Sequence, residues 1–211
     1  MDTAGTVHII DDDAAIRDSL RVLLEAAGFA VQTHDSPNAF LVAAPRLEGC
    51  VLTDVRMPEI DGLELQQLLT QRCIRLPVIV MTGLGDVPIA VRAMKAGAVD
   101  FLQKPFDDEQ LLDAVHRALE ESRRLHDIEA SAARSAALLA TLTPREREVF
   151  DLLVTGLPTK AIANALGASP RTIEVHRARV FEKLHARSLP ELVRLLLAAR
   201  AGSREAEGRS A

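Results

Sequence analysis

Five short apolar runs, at residues 6–10, 29–34, 50–53, 77–81 and 99–102, alternate with five segments of helical period within the first 121 residues. No other feature constrains the fold as much. The intervening segments are 14–27, 37–44, 63–72, 87–96 and 109–119. In the first of these, Ile16, Leu20, Leu23 and Leu24 line one stripe. Local signals agree with the periodicity. Ser36 precedes Pro37, Asp107 is followed three residues later by Gln110, and Gly28 and Gly97 close helices. Apolar runs without alternation suit strands buried on both faces, and strand–helix units in series suit a parallel sheet. The first half is therefore expected to be an α/β domain with a doubly wound five-stranded parallel sheet.

The pattern then changes to helices alone. Residues 122–141 contain no Gly or Pro and are rich in Ala. They predict that the last helix of the α/β domain runs on as a semi-rigid rod. Thr143-Pro144-Arg145-Glu146 is a capping box with proline at the first helical position, and Gly156 ends that helix. A short helix over 159–166 leads through Gly167-Ala168 into a helix capped by Ser169-Pro170 and reaching about residue 185. Ser188 with Glu191 caps a fourth helix. A short helix, a glycine turn and a second helix form a helix-turn-helix. The expected organisation is an α/β domain over 1–121, a helical linker over 122–141, an all-α four-helix domain over 142–202, and a polar, disordered tail over 203–211.

Charge divides the chain in the same place. Residues 1–122 carry 20 Asp/Glu against 10 Lys/Arg, whereas residues 139–211 carry 12 Lys/Arg against 8 Asp/Glu. An acidic half joined to a basic half implies two domains with different partners, the basic one suited to nucleic acid. With 48% hydrophobic and 26% charged residues, the composition is that of a globular protein. No apolar run is long enough to span a membrane, and Met1-Asp2-Thr3-Ala4-Gly5 does not resemble a signal peptide. Cys50 and Cys73 read as reduced residues of a cytoplasmic protein. The absence of Trp and Tyr argues against a base-stacking platform.

The chemistry gathers at the strand ends. Asp11, Asp12 and Asp13 follow the first strand, Asp54 the third, Thr82 the fourth, and Lys104-Pro105 the fifth. In a doubly wound sheet the ligand site lies outside these carboxyl ends. Each residue alone has an ordinary reading: Asp12 or Asp13 as a helix cap, Thr82 as a structural hydroxyl, Lys104 as a solvated charge. Together they place carboxylates, a hydroxyl and an ammonium around one crevice. Clustered carboxylates repel one another, and Mg²⁺, which prefers oxygen ligands and keeps several waters, relieves that repulsion. Asp54 is then a candidate nucleophile toward a phosphoryl donor, with Lys104 and Thr82 placed to hold phosphoryl oxygens.

Asp11-Asp12, Asp54 within TDVRMPEIDG, Thr82-Gly83 and Lys104-Pro105 resemble the CheY-like receiver domain of two-component response regulators. Residues 85–106, GDVPIAVRAMKAGAVDFLQKPF, look like its FixJ-type branch. LTPREREVF, GLPTKAIANALGASPRTIEVHRARVFEKL and SLPELVRL resemble the LuxR/FixJ/NarL-type DNA-binding domain. The two likenesses together cover residues 6–200.

The resemblance implies roles at matched positions. Asp54 is the phosphoacceptor. Asp11, Asp12, Asp54 and the backbone carbonyl of Arg56 form the Mg²⁺ site. Lys104 pairs with the phosphoryl group and is joined to Pro105 by a cis peptide. Thr82 and Phe101 are the switch pair. Val91, Lys95 and Asp100 lie on the surface of the fourth helix, fifth strand and fifth helix that pairs phosphorylated receivers. The implied partners are a sensor histidine kinase, facing Ala15, Ser19 and Val22 of the first helix, together with promoter DNA, a second copy of the chain and RNA polymerase. FixJ-like control of nitrogen fixation or microaerobic genes is the implied biology. Two positions depart from the family pattern. Gln103 stands where relatives often have Glu, and Leu84 stands where many have a polar group. An apolar Leu84 is expected to position attacking water poorly and prolong the phosphorylated state.

At 3.6 residues per turn, Ile173, Val180 and Leu184 of the helix starting at Pro170 share a core-facing stripe, with His176 and Arg177 near it. Arg171, Val175, Ala178 and Glu182 lie opposite, flanked by Thr172, Glu174 and Arg179. A charged face of this kind is ordinarily just solvated. Val and Ala exposed among charges suit a helix in a DNA major groove, where small apolar groups meet thymine methyls and Glu accepts from cytosine. Lys160, Arg171, Thr172 and Arg179 would then hold phosphates, and Arg177 is counted among the DNA-binding positions. The resemblance puts Glu174, Val175 and Ala178 at base-contacting positions. One such domain makes few contacts, so two copies on paired half-sites are expected.

Two other readings compete with a phosphorylation-controlled transcription factor. An aspartate-nucleophile phosphohydrolase would need an acid/base Asp two residues after the nucleophile, where this chain has Arg56. Alternatively, the helix-turn-helix is a protein-interaction module. The chain is not expected to be an enzyme beyond self-phosphorylation and self-dephosphorylation.

Overall fold

The computed structural model describes residues 5–44, 47–83 and 87–207, with Val87 and residues 201–207 described by backbone alone. The chain divides into two compact units, Met1–His126 and Asp127–Ala211. The first unit alternates strand and helix: β1 Thr6–Ile10, α1 Ala14–Ala26, β2 Ala30–His34, α2 Pro37–Ala43, β3 Cys50–Asp54, α3 Gly62–Gln71, β4 Val78–Thr82, α4 Val87–Lys95, β5 Asp100–Gln103 and the start of α5, Asp108–Ala140. The strands pair in parallel throughout, in the order β2-β1-β3-β4-β5. The direction of winding reverses between β1 and β3, which makes the crevice beyond their carboxyl ends the natural ligand site.

Successive side chains of the central strands feed opposite faces. Ile9, Leu52, Ile79 and Met81 pack with Leu20 and Leu24 of α1 and with Leu111, Val115 and Leu119 of α5. Ile10, Val51, Val78 and Val80 pack with Phe40 of α2, Leu65 and Leu69 of α3 and Ala93 of α4. With both faces covered, the strands carry continuous apolar runs, as the sequence pattern requires. Asp13 and Ser36 cap α1 and α2 through their side chains. Asp61 caps α3 in a reciprocal box with Glu64. This box is absent from the sequence expectations, although Asp61 followed three residues later by Glu64 carries its signature.

The second unit holds α6 Pro144–Leu153, α7 Thr159–Ala165, α8 Pro170–Lys183 and α9 Leu189–Glu207. Thr143 and Glu146 form the expected capping box, and Ser169 caps α8. Val149, Phe150, Ile162, Ile173, Val180 and Leu192 form the centre of its core. Helix α5 is continuous to Ala140, the division between the two compact units at His126–Asp127 falls within the 122–141 segment, and Leu139 joins the second core. The 203–211 tail begins as helix, since α9 extends through Glu207, and residues 208–211 lie outside the described residues.

Candidate functional site

The crevice beyond β1 and β3 is organised by one ammonium. Lys104 Nζ donates to Asp54 Oδ1 at 2.5 Å and to Asp11 Oδ2 at 3.1 Å. Register explains the convergence. Ile10 pairs with Thr53, so Asp11 and Asp54 leave adjacent strands one step past the same pair. Lys104 follows β5 and is anchored by its backbone N–H, which donates to Thr82 O at 2.7 Å. The Lys104–Pro105 peptide is cis, as the resemblance implies.

The remaining carboxylate oxygens are met by backbone. Asp54 Oδ2 accepts from Arg56 N at 2.6 Å, and Asp11 Oδ1 accepts from Asp13 N at 2.9 Å. The Asp11 carbonyl accepts from Arg17 Nη1 at 2.7 Å. Asp11 is almost fully buried, while the Asp54 side chain keeps 13% of its surface exposed, enough for a reagent to reach it. Burial pushes the Asp11 carboxyl above its usual range, against the Asp13 N–H and the Lys104 charge, and nearby Asp54 adds to the rise. Burial also opposes the Lys104 ammonium, but its bonds to Asp54 and Asp11 outweigh that effect and hold it above the usual lysine value.

Gly62, at the start of α3, has a packing role that sequence reasoning missed. A Cβ at this position would stand 2.3 Å from the Asp54 carbonyl oxygen. Only glycine lets the helix approach the Asp54 backbone this closely. Arg17 was also missed, because nothing in its spacing marks a bond to a strand-end carbonyl.

Other predicted receiver positions are placed as follows. Asp12 is exposed, and no set of three or more His, Cys, Asp or Glu side chains among the described residues is arranged to hold a metal ion. Asp11 and Asp54 are the carboxylates that meet Lys104. Thr82 is buried at the end of β4, and Phe101 is half-buried on β5. Val91 and Lys95 are exposed on α4, and Asp100 is ion-paired to Arg117. Ala15, Ser19 and Val22 are exposed on α1. Leu84 lies outside the described residues. Cys50 is buried, with its thiol pushed up to about 12 by burial.

In the second unit, α8 presents the face its periodicity predicts. Ile173 and Val180 are buried, while Arg171, Thr172, Glu174, Val175, Ala178 and Arg179 are exposed. Val175 is 48% exposed and stands among the charged side chains of that face. Lys160 is exposed on α7. Arg177 is half-buried and bonded to Thr159. His176 is half-buried, with Nδ1 buried and without a hydrogen-bond partner. Lys183 Nζ donates to Glu146 Oε2 at 2.6 Å, joining α8 to the start of α6.

Residues 7–116 match the response regulator receiver domain family, and residues 140–196 match the bacterial regulatory proteins of the luxR family. The chain is 51% identical over 200 residues to the transcriptional regulatory protein FixJ of Bradyrhizobium diazoefficiens, covering 94% of this chain and 98% of that protein. It is 53% identical over 194 residues to FixJ of Azorhizobium caulinodans, covering 92% of each. Among solved structures it resembles the response regulator StyR, with TM-score 0.80 at 41% identity over 91% of this chain and 98% of that one. It also resembles full-length FixJ from B. japonicum, with TM-score 0.58 at 50% identity over 94% and 98% of the two chains.

A receiver followed by a LuxR-type DNA-binding domain defines a response regulator that controls transcription. Within that class, the chain belongs to the FixJ family. The receiver implies a sensor kinase as partner, and the second domain implies DNA. Among the described residues no helix is long and apolar enough to cross a membrane.

Proposed function

We propose that a histidine kinase phosphorylates Asp54 and that the phosphorylated chain dimerises and binds promoter DNA. The observation that carries this reading is the Lys104 ammonium bridging Asp54 and buried Asp11 at the tips of β5, β3 and β1. An Asp54 oxygen forms the new P–O bond as the P–N bond of a phosphohistidine breaks, and the electron pair returns to the imidazole. Lys104 then moves from the carboxylate to the phosphoryl oxygens, whose charge it neutralises.

The site suits Mg²⁺. Its donors are all oxygen, and burial keeps Asp11 above its usual range even with Lys104 alongside, so a further cation relieves a charge the protein compensates incompletely. Asp11, Asp54 and the Arg56 carbonyl would hold the ion, Asp12 acting from its exposed position, with waters completing the shell. Bound Mg²⁺ supplies charge neutralisation for the incoming phosphoryl group.

Thr82 acts as the switch hydroxyl and Phe101 as the ring behind it, biasing a two-state element that ends at Val91, Lys95 and Asp100. Dimerisation pairs two α8 helices on half-sites. There Lys160, Arg171, Thr172 and Arg179 serve phosphates, Glu174, Val175 and Ala178 serve bases, and Arg177 belongs to the same DNA-binding set. Contact with RNA polymerase, a cytoplasmic location and FixJ-like control of nitrogen fixation or microaerobic genes complete the reading.

The test is the intact mass of the full chain after incubation with acetyl phosphate and Mg²⁺. Wild type should gain one phosphoryl group, Asp54→Asn none, and Thr82→Ala should gain it without dimerising. Equal labelling of Asp54→Asn would place the acceptor elsewhere and defeat the reading.

A further inference from the structure

Thr159, at the start of α7, lies between two side chains of α8. Its Oγ1 donates to Glu174 Oε1 at 2.6 Å, and Arg177 Nη1 donates to the same Oγ1 at 2.5 Å. A hydroxyl has one proton to give, so both of its roles are fixed: proton to the carboxylate, lone pair to the guanidinium. Arg177 also stands 3.7 Å from Glu174 Oε1. Among the described residues none donates to the second carboxylate oxygen, Oε2. The Glu174 side chain is 59% exposed, on the same exposed face as Val175 and Ala178.

A solvent-exposed glutamate on a helix normally samples many rotamers, and ordering it against a ligand costs entropy. Here one oxygen is already held. The holding residue is itself stiff, because Thr is β-branched and Thr159 belongs to a helix whose Ile162 and Ala163 are buried. The core of the domain, rather than the surface, thus sets where the Glu174 carboxylate sits. Arg177 offsets its negative charge, which would otherwise oppose approach to a polyanion.

We propose that Thr159 is a positioning residue for sequence readout. It holds Glu174 so that Oε2 accepts a hydrogen bond from an exocyclic base amine in the major groove, cytosine N4 being the donor whose chemistry fits. The inference rests on the DNA-binding reading of the second domain and adds a residue outside the recognition helix to the specificity apparatus.

The test uses the full chain with Mg²⁺ and beryllofluoride. Wild type first selects a preferred duplex from a randomised pool. Competition binding then compares that duplex with versions altered at each base pair, for wild type, Thr159→Val, Thr159→Ser, Glu174→Gln and the Thr159→Val/Glu174→Gln double variant. Thr159→Val, which keeps the shape and removes the hydroxyl, should lower discrimination about fivefold at one position of each half-site and leave the salt dependence unchanged. Thr159→Ser should restore it, and the double variant should discriminate no worse than Glu174→Gln alone. Uniform weakening of all duplexes with discrimination intact, or additive losses in the double variant, would overturn the proposal. A wild-type chain that selects no duplex, and binds the pool without salt dependence, would overturn the DNA-binding reading itself. That outcome is distinct, because it is reached before any variant is measured.

Discussion

Lys104 is bonded to both site carboxylates, so its removal exposes what it compensates. Lys104→Met should destabilise the receiver by about 2 kcal/mol in urea, because two partly buried carboxylates then face each other unpaired. Mg²⁺ should recover more stability in this variant than in wild type, as a competitor for the same oxygens is gone. Gly62→Ala makes a different kind of damage. Its Cβ would collide with the Asp54 carbonyl, so a loss of roughly 2 kcal/mol and slower acetyl phosphate labelling are expected. Legibility at this scale follows chain position. Asp54, Thr82 and Lys104 were readable because strand ends converge in any doubly wound sheet. Gly62 was not, since close approach is a property of the folded backbone and leaves no periodic mark. The separate places of the three neighbours were not legible: Asp11 turns inward to Lys104, Asp13 caps α1 and Asp12 stays exposed.

Elements carry a second layer of dependence. The Lys183 hydrogen bond, the Thr143 backbone N–H and the capping geometry hold the Glu146 carboxyl at about 2, well below its ordinary 4.5. The native pKa is the lower one, so the stabilisation is fully present above pH 4.5 and drains away as pH falls toward about 2. Urea melts of the second unit followed from pH 6 downward should show this decline in wild type and a flatter profile in Glu146→Gln. The capping half of Glu146 was legible as T-P-R-E. Its partnership with Lys183 was not, because a contact across 37 residues depends on how α6 and α8 cross. The role of one linker residue was not legible from composition: Leu139, in the Ala-rich stretch before Thr143, is a core residue of the second unit. Leu139→Ala should lower that unit's stability by about 2–4 kcal/mol, measured by its own unfolding transition, where a true linker residue would change nothing.

For the whole molecule, the charge division of the sequence becomes a statement about partners. If dimerisation is the output, light scattering with Mg²⁺ and beryllofluoride should double the mass of wild type and leave Asp54→Asn a monomer. Binding to a selected duplex should weaken linearly with the logarithm of salt, and Arg171→Ala should reduce that slope by about one per subunit without changing base preference. The domain order and both fold classes were legible, because unbroken apolar runs alternating with helical segments give way to helical periodicity alone.

The pairing of Ile10 with Thr53 has a wider consequence. Asp11 and Asp54 each follow that pair by one residue on adjacent chains, so the spacing of their backbones is set by the separation of adjacent strands, ~4.8 Å. Loops around the crevice can lengthen, shorten or change composition without disturbing it. A slip of a single rung would turn every side chain of β3 to the wrong face and unmake the core in the same stroke. The reactive geometry therefore has no weak failure of its own: a chain that has folded has already aligned its carboxylates.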